Sequence, residues 1–168
     1  TQPKPRFLKE VKDYLFEKYA AEWSDGCEAD DLLGIAQCTG TDTIICSIDK
    51  DLRMIPGKHY SFEISGKSNL GKEWVRPMEI CEVSPFDGLR RFYTQLLVGD
   101  ATDNIKGASG IGKVKAERIL AGCTTEQELF EAVEAHYGSL EEMEMNGQCL
   151  WIFRKPNDRW RIPNFAAN

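Results

Sequence analysis

The segment Gly99-Asp100-Ala101-Thr102-Asp103-Asn104 leads almost directly into Gly107-Ala108-Ser109-Gly110-Ile111-Gly112-Lys113-Val114-Lys115-Ala116, and few backbones accommodate such a run. Glycines at this density permit positive φ and close approach of the main chain to a partner. The alanine and lysines that follow suit a basic helix opening at the hairpin, whose exposed N–H groups would face an anion. The two preceding carboxylates suit hard, oxygen-seeking cations such as Mg²⁺ or Mn²⁺.

A chain of 168 residues with 42% hydrophobic content is long enough for one core with a helical extension, and too short for two independent full domains. It carries no apolar run long enough to span a bilayer and no basic-then-apolar leader, so a soluble cytoplasmic protein without membrane contact is expected. Six cysteines lie scattered without a CxxC pair, and only His59 and His136 could assist them. Reduced, mostly buried thiols are expected in place of a zinc site or disulfide framework. The net charge of -6 hides an uneven distribution. Lys106, Lys113, Lys115 and Arg118 face Glu117 alone, and Arg154, Lys155, Arg159 and Arg161 crowd the tail. Acidity gathers between Glu126 and Glu144, where a solvated helix face explains it.

Phe7, Val11, Tyr14, Leu15 and Tyr19 recur at helical spacing, and the start at Thr1 reads as internal to a longer protein. A second helix opens at Glu28-Ala29-Asp30-Asp31. Thr43–Ile48 reads as a strand covered on both faces of an α/β sheet, with Asp49 and Asp51 at its C-terminal end, the edge where ligands gather. His59–Ile64 and Trp74–Pro77 read as a weak hairpin or two short edge strands. Helices are expected over Pro85–Val98, Lys113–Leu120, roughly Thr125–His136 and roughly Leu140–Ile152.

Three acidic groups stand out: Glu28, Asp30 and Asp31; Asp49 and Asp51; Asp100 and Asp103. Taken singly, each has an ordinary explanation, as helix-start carboxylates, a strand-to-turn transition, and turn residues. Extended backbone would project Asp49 and Asp51 the same way, and a turn would put Asp100 and Asp103 on one face. Gathering them costs repulsion and desolvation that divalent cations offset. Two such ions polarise a phosphodiester and activate water. In the glycine hairpin, Ile111 would anchor the turn and Ala116 would let the following helix pack closely. The expected grip on phosphates is independent of base sequence.

Glu28-Ala29-Asp30-Asp31, Ser47-Ile48-Asp49-Lys50-Asp51-Leu52 and Gly99-Asp100-Ala101-Thr102-Asp103-Asn104-Ile105, followed by Gly110-Ile111-Gly112, resemble the flap endonuclease/5′→3′ exonuclease family, in particular its bacteriophage and DNA polymerase I branch. The resemblance runs from about Phe7 to at least Leu120. It implies an α/β fold: part of a PIN-like parallel sheet flanked by helices over 1–84, then a helix-three-turn-helix and C-terminal helices over 85–168. It implies a metal-dependent nuclease of DNA replication and repair, in a bacterial or phage-infected cell, acting on duplex DNA with a 5′ end or flap. Glu28, Asp30, Asp49 and Asp51 would serve the water-activating metal, with Asp31 close by, and Asp100 and Asp103 the second. Backbone oxygens of Leu97, Val98, Lys106, Ala108 and Ile111 would hold K⁺. Gly107 and Gly110 to Lys115, with Ile111, Gly112, Lys113 and Val114 between, would face the DNA backbone. The family's opening Asp-bearing strand, a later Asp strand and a basic helical arch have no counterpart here, so the resemblance implies the C-terminal portion of a nuclease whose N-terminal part is a missing partner.

Two other readings compete. A haloacid-dehalogenase-type phosphatase shares a DxD and a later GDxxxD, yet has no use for Gly110-Ile111-Gly112. A DNA-binding module without turnover would keep the hairpin alone.

Overall fold

The computed structural model describes residues 3–68 and 71–165. Its elements in chain order are α1 (Leu8–Tyr19), α2 (Ala29–Thr39), β1 (Ile44–Cys46), a 3-10 helix (Asp51–Met54), β2 (Gly57–Ser61), β3 (Ile64–Lys67), β4 (Glu73–Arg76), β5 (Glu79–Val83), α3 (Pro85–Val98), β6 (Gly99–Asp100), β7 (Ile105–Lys106), α4 (Lys113–Leu120), α5 (Glu126–Glu134) and α6 (Leu140–Leu150). The architecture is mixed α/β. Among the described residues no helix is long and apolar enough to cross a membrane.

Helix α3 is the element on which the 3-10 helix, α4, α5, α6 and β6 pack. Ser84 caps it by accepting from the Asp87 N–H at 3.1 Å, Pro85 occupies its first turn, and Gly99 closes it at φ 75°, a conformation that suits glycine. Its apolar stripe, Phe92, Tyr93, Leu96 and Leu97, is fully buried, each side chain stabilising the fold by about 1.5–3 kcal/mol. Leu52, Met54 and Ile55 pack on one side of it; Ala116 and Leu120 of α4, Leu129 and Val133 of α5, and Met143 of α6 complete a continuous core that reaches Trp160. Gly88 permits the approach of the 3-10 helix, because a Cβ there would overlap the Met54 carbonyl.

The sheet departs from expectation. Among the described residues only β1 and β2 pair in parallel; β5 lies antiparallel on the other side of β2. His59–Ile64 divides at Phe62-Glu63, its first part joining β5 and its second forming the β3–β4 ribbon. β1 is not covered on both faces: Ile45 is buried, but Ile44 is 43% exposed and Ile80 of β5 is 64% exposed. β1 has one partner, β2, so its other edge is open among the described residues. The thiol expectation is also corrected. Cys38, Cys46 and Cys149 are exposed, Cys27 and Cys81 half-buried, and only Cys123 is buried; all are free. Helix α1 buries none of its residues.

The tail returns to clamp α2. Asp31 Oδ1 accepts from the Phe153 N–H at 2.9 Å, and Gly34 leaves room for the Phe153 carbonyl. Arg154 donates to the Met54 carbonyl at 3.0 Å. Asp158 accepts from both the Trp151 indole and the Arg154 N–H.

Candidate functional site

Immediately after β1 the chain turns on its own carboxylate. Asp49 N–H donates to Ser47 Oγ at 3.0 Å, and Asp49 Oδ1 accepts from the Asp51 N–H at 2.9 Å. Lys50 is helical, at φ -79° and ψ -16°, and Asp51 opens the 3-10 helix. The extended Asp49–Asp51 pair expected from spacing is therefore replaced by a turn, because a short Asp side chain competes for the backbone N–H two residues on. Gln95, on the second half of α3, donates to Asp51 Oδ1 at 2.8 Å; its own Oε1 is buried without a hydrogen-bond partner.

Asp100 likewise organises a turn, accepting from the Thr102 N–H at 2.7 Å and the Asp103 N–H at 3.4 Å. β6 and β7 close this loop with Gly99 opposite Lys106 and Asp100 opposite Ile105. Gly99 and Gly107 back onto each other: a Cβ on either would run into the other's main chain. The sequence expectation puts Gly107 among the DNA-facing residues and gives Gly99 no role of its own. Their place in the fold is close packing that seats Asp100 against the end of α3.

The acidic groups communicate. Burial pushes the Asp51 carboxyl above its ordinary range, and the charges of Asp49, Asp100 and Asp103 push it further, against a smaller opposing effect of Lys50. Burial, then Asp49, Glu28 and Asp31, do the same to Asp30. Asp49 thus links one group at the start of α2 to another between the 3-10 helix and β6. Asp31 is committed elsewhere, since Oδ2 accepts from the Glu28 N–H at 3.0 Å while Oδ1 holds the tail. Among the described residues, no three His, Cys, Asp or Glu side chains form a closed set able to hold a metal ion. In kind the donors fit a hard divalent cation, being carboxylate oxygens that are partly dehydrated and mutually repelling. In arrangement they form an extended series of neighbours.

A raised carboxyl pKa costs stability once the group ionises. The cost is absent below the ordinary 3.8 and complete above the raised folded value. Asp51→Asn should therefore raise the melting temperature of the metal-free protein at pH 7. The advantage should vanish as the pH approaches 3.8. Melting curves of both proteins against pH, in chelator, measure it.

The glycine hairpin packs as its sequence implies. Ala108 and Ile111 are buried, and the Ala108 carbonyl accepts from the Ile111 N–H at 3.2 Å. Gly110 sits at φ 71°. Gly112 caps α4 in extended conformation, with no side-chain cap and no acid in the first turn. Lys113, Val114 and Lys115 are exposed. Of the carbonyls expected to hold K⁺, that of Lys106 accepts from Asn146 Nδ2 at 2.6 Å. Leu97 and Val98 end α3, whose C-terminus is the negative pole of its dipole.

One cleft of about 760 Å³ is lined by Asp51, Gln95, Asp100, Arg53, Arg91 and, from the start of α4, Lys113 among others; the hairpin residues Gly107 to Gly112 line a neighbouring one with Val98 and Lys106. Gln95, Arg53 and Arg91 escaped sequence reasoning. Gln95 lies i+4 from Arg91 on the face of α3 beside its apolar stripe, a position that only becomes meaningful once the acidic loops are known to fold there. Tyr137 and Asn146 were missed as well; Tyr137, in the loop after α5, donates to the Leu96 carbonyl at 2.6 Å and accepts from Asn146 of α6, which also holds the Lys106 carbonyl of β7.

No family model matches the chain. Similarity is found to DNA polymerase I of Bacillus subtilis (strain 168), 27% identical over 133 residues, which cover 76% of this chain and 15% of that protein. DNA polymerase I of Streptococcus pneumoniae serotype 4 is 27% identical over 134 residues, again 76% of this chain and 15% of the relative. DNA polymerase I of Deinococcus radiodurans is 31% identical over 120 residues, 69% of this chain and 12% of the relative. The chain therefore spans only 15% or less of these curated relatives, and what it resembles is one stretch of DNA polymerase I.

Proposed function

We propose that this chain is the metal- and DNA-contacting portion of a divalent-metal-dependent 5′→3′ nuclease, hydrolysing DNA phosphodiesters at a 5′ end or flap. The observation that carries the reading is the shared cleft. Asp51 and Asp100 border it from one side and Lys113, at the start of α4, from the other. A phosphate held by the α4 N-terminus and its lysines would lie beside the carboxylates. Mg²⁺ or Mn²⁺ bound there would supply Lewis acidity and an activated water. The chain's own contribution is to bring Asp30, Asp49, Asp51, Asp100 and Asp103 into mutual range, with Glu28 at the head of α2, and to orient Asp51 through Gln95. Asp31 is assigned a structural part, holding the tail. The open edge of β1 and its uncovered face support further strands docking there from the N-terminal part of the nuclease, bringing the remaining ligands. K⁺ would be held between the end of α3 and the hairpin by the carbonyls of Leu97, Val98, Ala108 and Ile111, Lys106 being shared with Asn146.

A helix-hairpin-helix grip on duplex DNA follows from Gly107 to Lys115. Gly112 tests it cleanly, because a Cβ there meets nothing within 4 Å. Gly112→Val should weaken duplex binding severalfold while costing the fold no more than about 1 kcal/mol at the cap. Wild-type affinity should fall with salt at a log–log slope of about -2, for phosphate contacts by Lys113 and Lys115. A second reading, a DNA-binding part without turnover of its own, is favoured by the absence of a closed ligand set among the described residues. The two separate on a 5′-labelled branched duplex with Mg²⁺: label released by this chain alone supports catalysis within it. Release only when the chain is extended N-terminally assigns it the binding part.

A further inference from the structure

The β3–β4 ribbon has a feature that neither the hairpin nor the carboxylates use. Its register places Gly66 opposite Trp74 and Ile64 opposite Arg76. Paired residues share a face, and alternation adds Lys72, just before β4, to the side that bears Trp74 and Arg76. The Trp74 ring lies over Gly66: a Cβ at Gly66 would meet Cζ2 at 2.9 Å and Cε2 at 3.1 Å. One side of the indole is thus seated on bare main chain, and the residue is still 45% exposed. Charge is sorted between the two faces. On the other side Lys67 is neutralised by Glu73 at 3.1 Å, whereas among the described residues neither Lys72 nor Arg76 forms a salt bridge. Arg76 also reaches the Ile48 carbonyl at 3.4 Å, one residue from Asp49, so the base of this face adjoins the acidic series.

We infer that the Lys72/Trp74/Arg76 face of the ribbon is a contact surface for an unpaired nucleic-acid strand, with one base stacked on Trp74 and flanking phosphates held by Lys72 and Arg76. An aromatic platform between unpaired basic residues is the combination that binds single strands without reading sequence. Its continuity with Asp49 gives the strand a destination. The inference deepens the nuclease reading and rests on it for the identity of the strand, while the contact itself is measured by binding alone.

The test compares two probes, a blunt duplex and the same duplex with a single-stranded 5′ tail, against the 168-residue chain in chelator. Trp74→Ala should weaken tailed-duplex binding about 5- to 100-fold and leave blunt-duplex binding unchanged. Trp74→Phe should restore most of the loss, and Gly66→Val, which displaces the ring, should reproduce it. Melting curves verify that each variant is folded. Unchanged tailed-duplex affinity in Trp74→Ala, alongside weakened blunt-duplex binding in Gly112→Val, would overturn the ribbon surface alone and leave that face to a protein contact. Failure of the wild-type chain to bind either probe would overturn the ribbon surface and the DNA reading together.

Discussion

Asp100→Asn is expected to lower metal-dependent cleavage by the N-terminally extended nuclease at least about a hundredfold. Duplex affinity should stay within about twofold, since no phosphate contact is removed. The selectivity follows from how Asp100 is used. One of its oxygens accepts from the Thr102 and Asp103 N–H groups, and an asparagine carbonyl accepts from both equally well. The turn survives and only the negative charge disappears. Rates on a 5′-labelled branched substrate, set beside binding anisotropy with the same DNA, measure the two quantities. An unaltered rate would remove Asp100 from any part in the chemistry.

Gly107→Val should disable cleavage and duplex binding together. The added side chain would enter the space of the Leu97 carbonyl, the Val98 carbonyl carbon and the Gly99 nitrogen. None of these atoms belongs to a flexible side chain, so the loop between β6 and β7 must move. Overpacking of this kind costs about 1–3 kcal/mol, and it displaces Asp100 in one direction and the hairpin in the other. Gly122→Ala is the control, because a Cβ there meets nothing within 4 Å. Melting temperature, cleavage and duplex affinity should all fall for Gly107→Val and hold for Gly122→Ala. Retention of either function would mean that the two halves are not mechanically joined at this glycine pair.

The helices were the legible part of the fold. Pro85–Val98 and Lys113–Leu120 match the structure to the residue, because Ser84-Pro85 and Gly112 punctuate unbroken apolar periodicity. The strands were poorly legible. A three-residue strand such as Ile44–Cys46 offers too little alternation to reveal a bare face, and nothing local announces that His59–Ile64 splits between two sheets. At the site, the grouping of acidic residues was visible as motifs, and their electrostatic contact through Asp49 follows the same grouping. Asp31 shows the limit. Its motif neighbours place it close to the water-activating metal, while its partner Phe153 is 122 residues away, and no spacing rule reaches so far. Gln95 was hidden for the same reason, lying 44 residues from Asp51.

The clamp between Asp31 and Phe153 also orders events in time. During synthesis the anchor of the helix bearing Glu28 and Asp30 emerges 122 residues after Asp31. Local turns around Asp49 and Asp100 need no such wait. Non-local closure of this kind is slow and comes late, so the acidic series becomes whole only once Phe153 has been made, and a product terminated before it would carry its carboxylates without the geometry to use them.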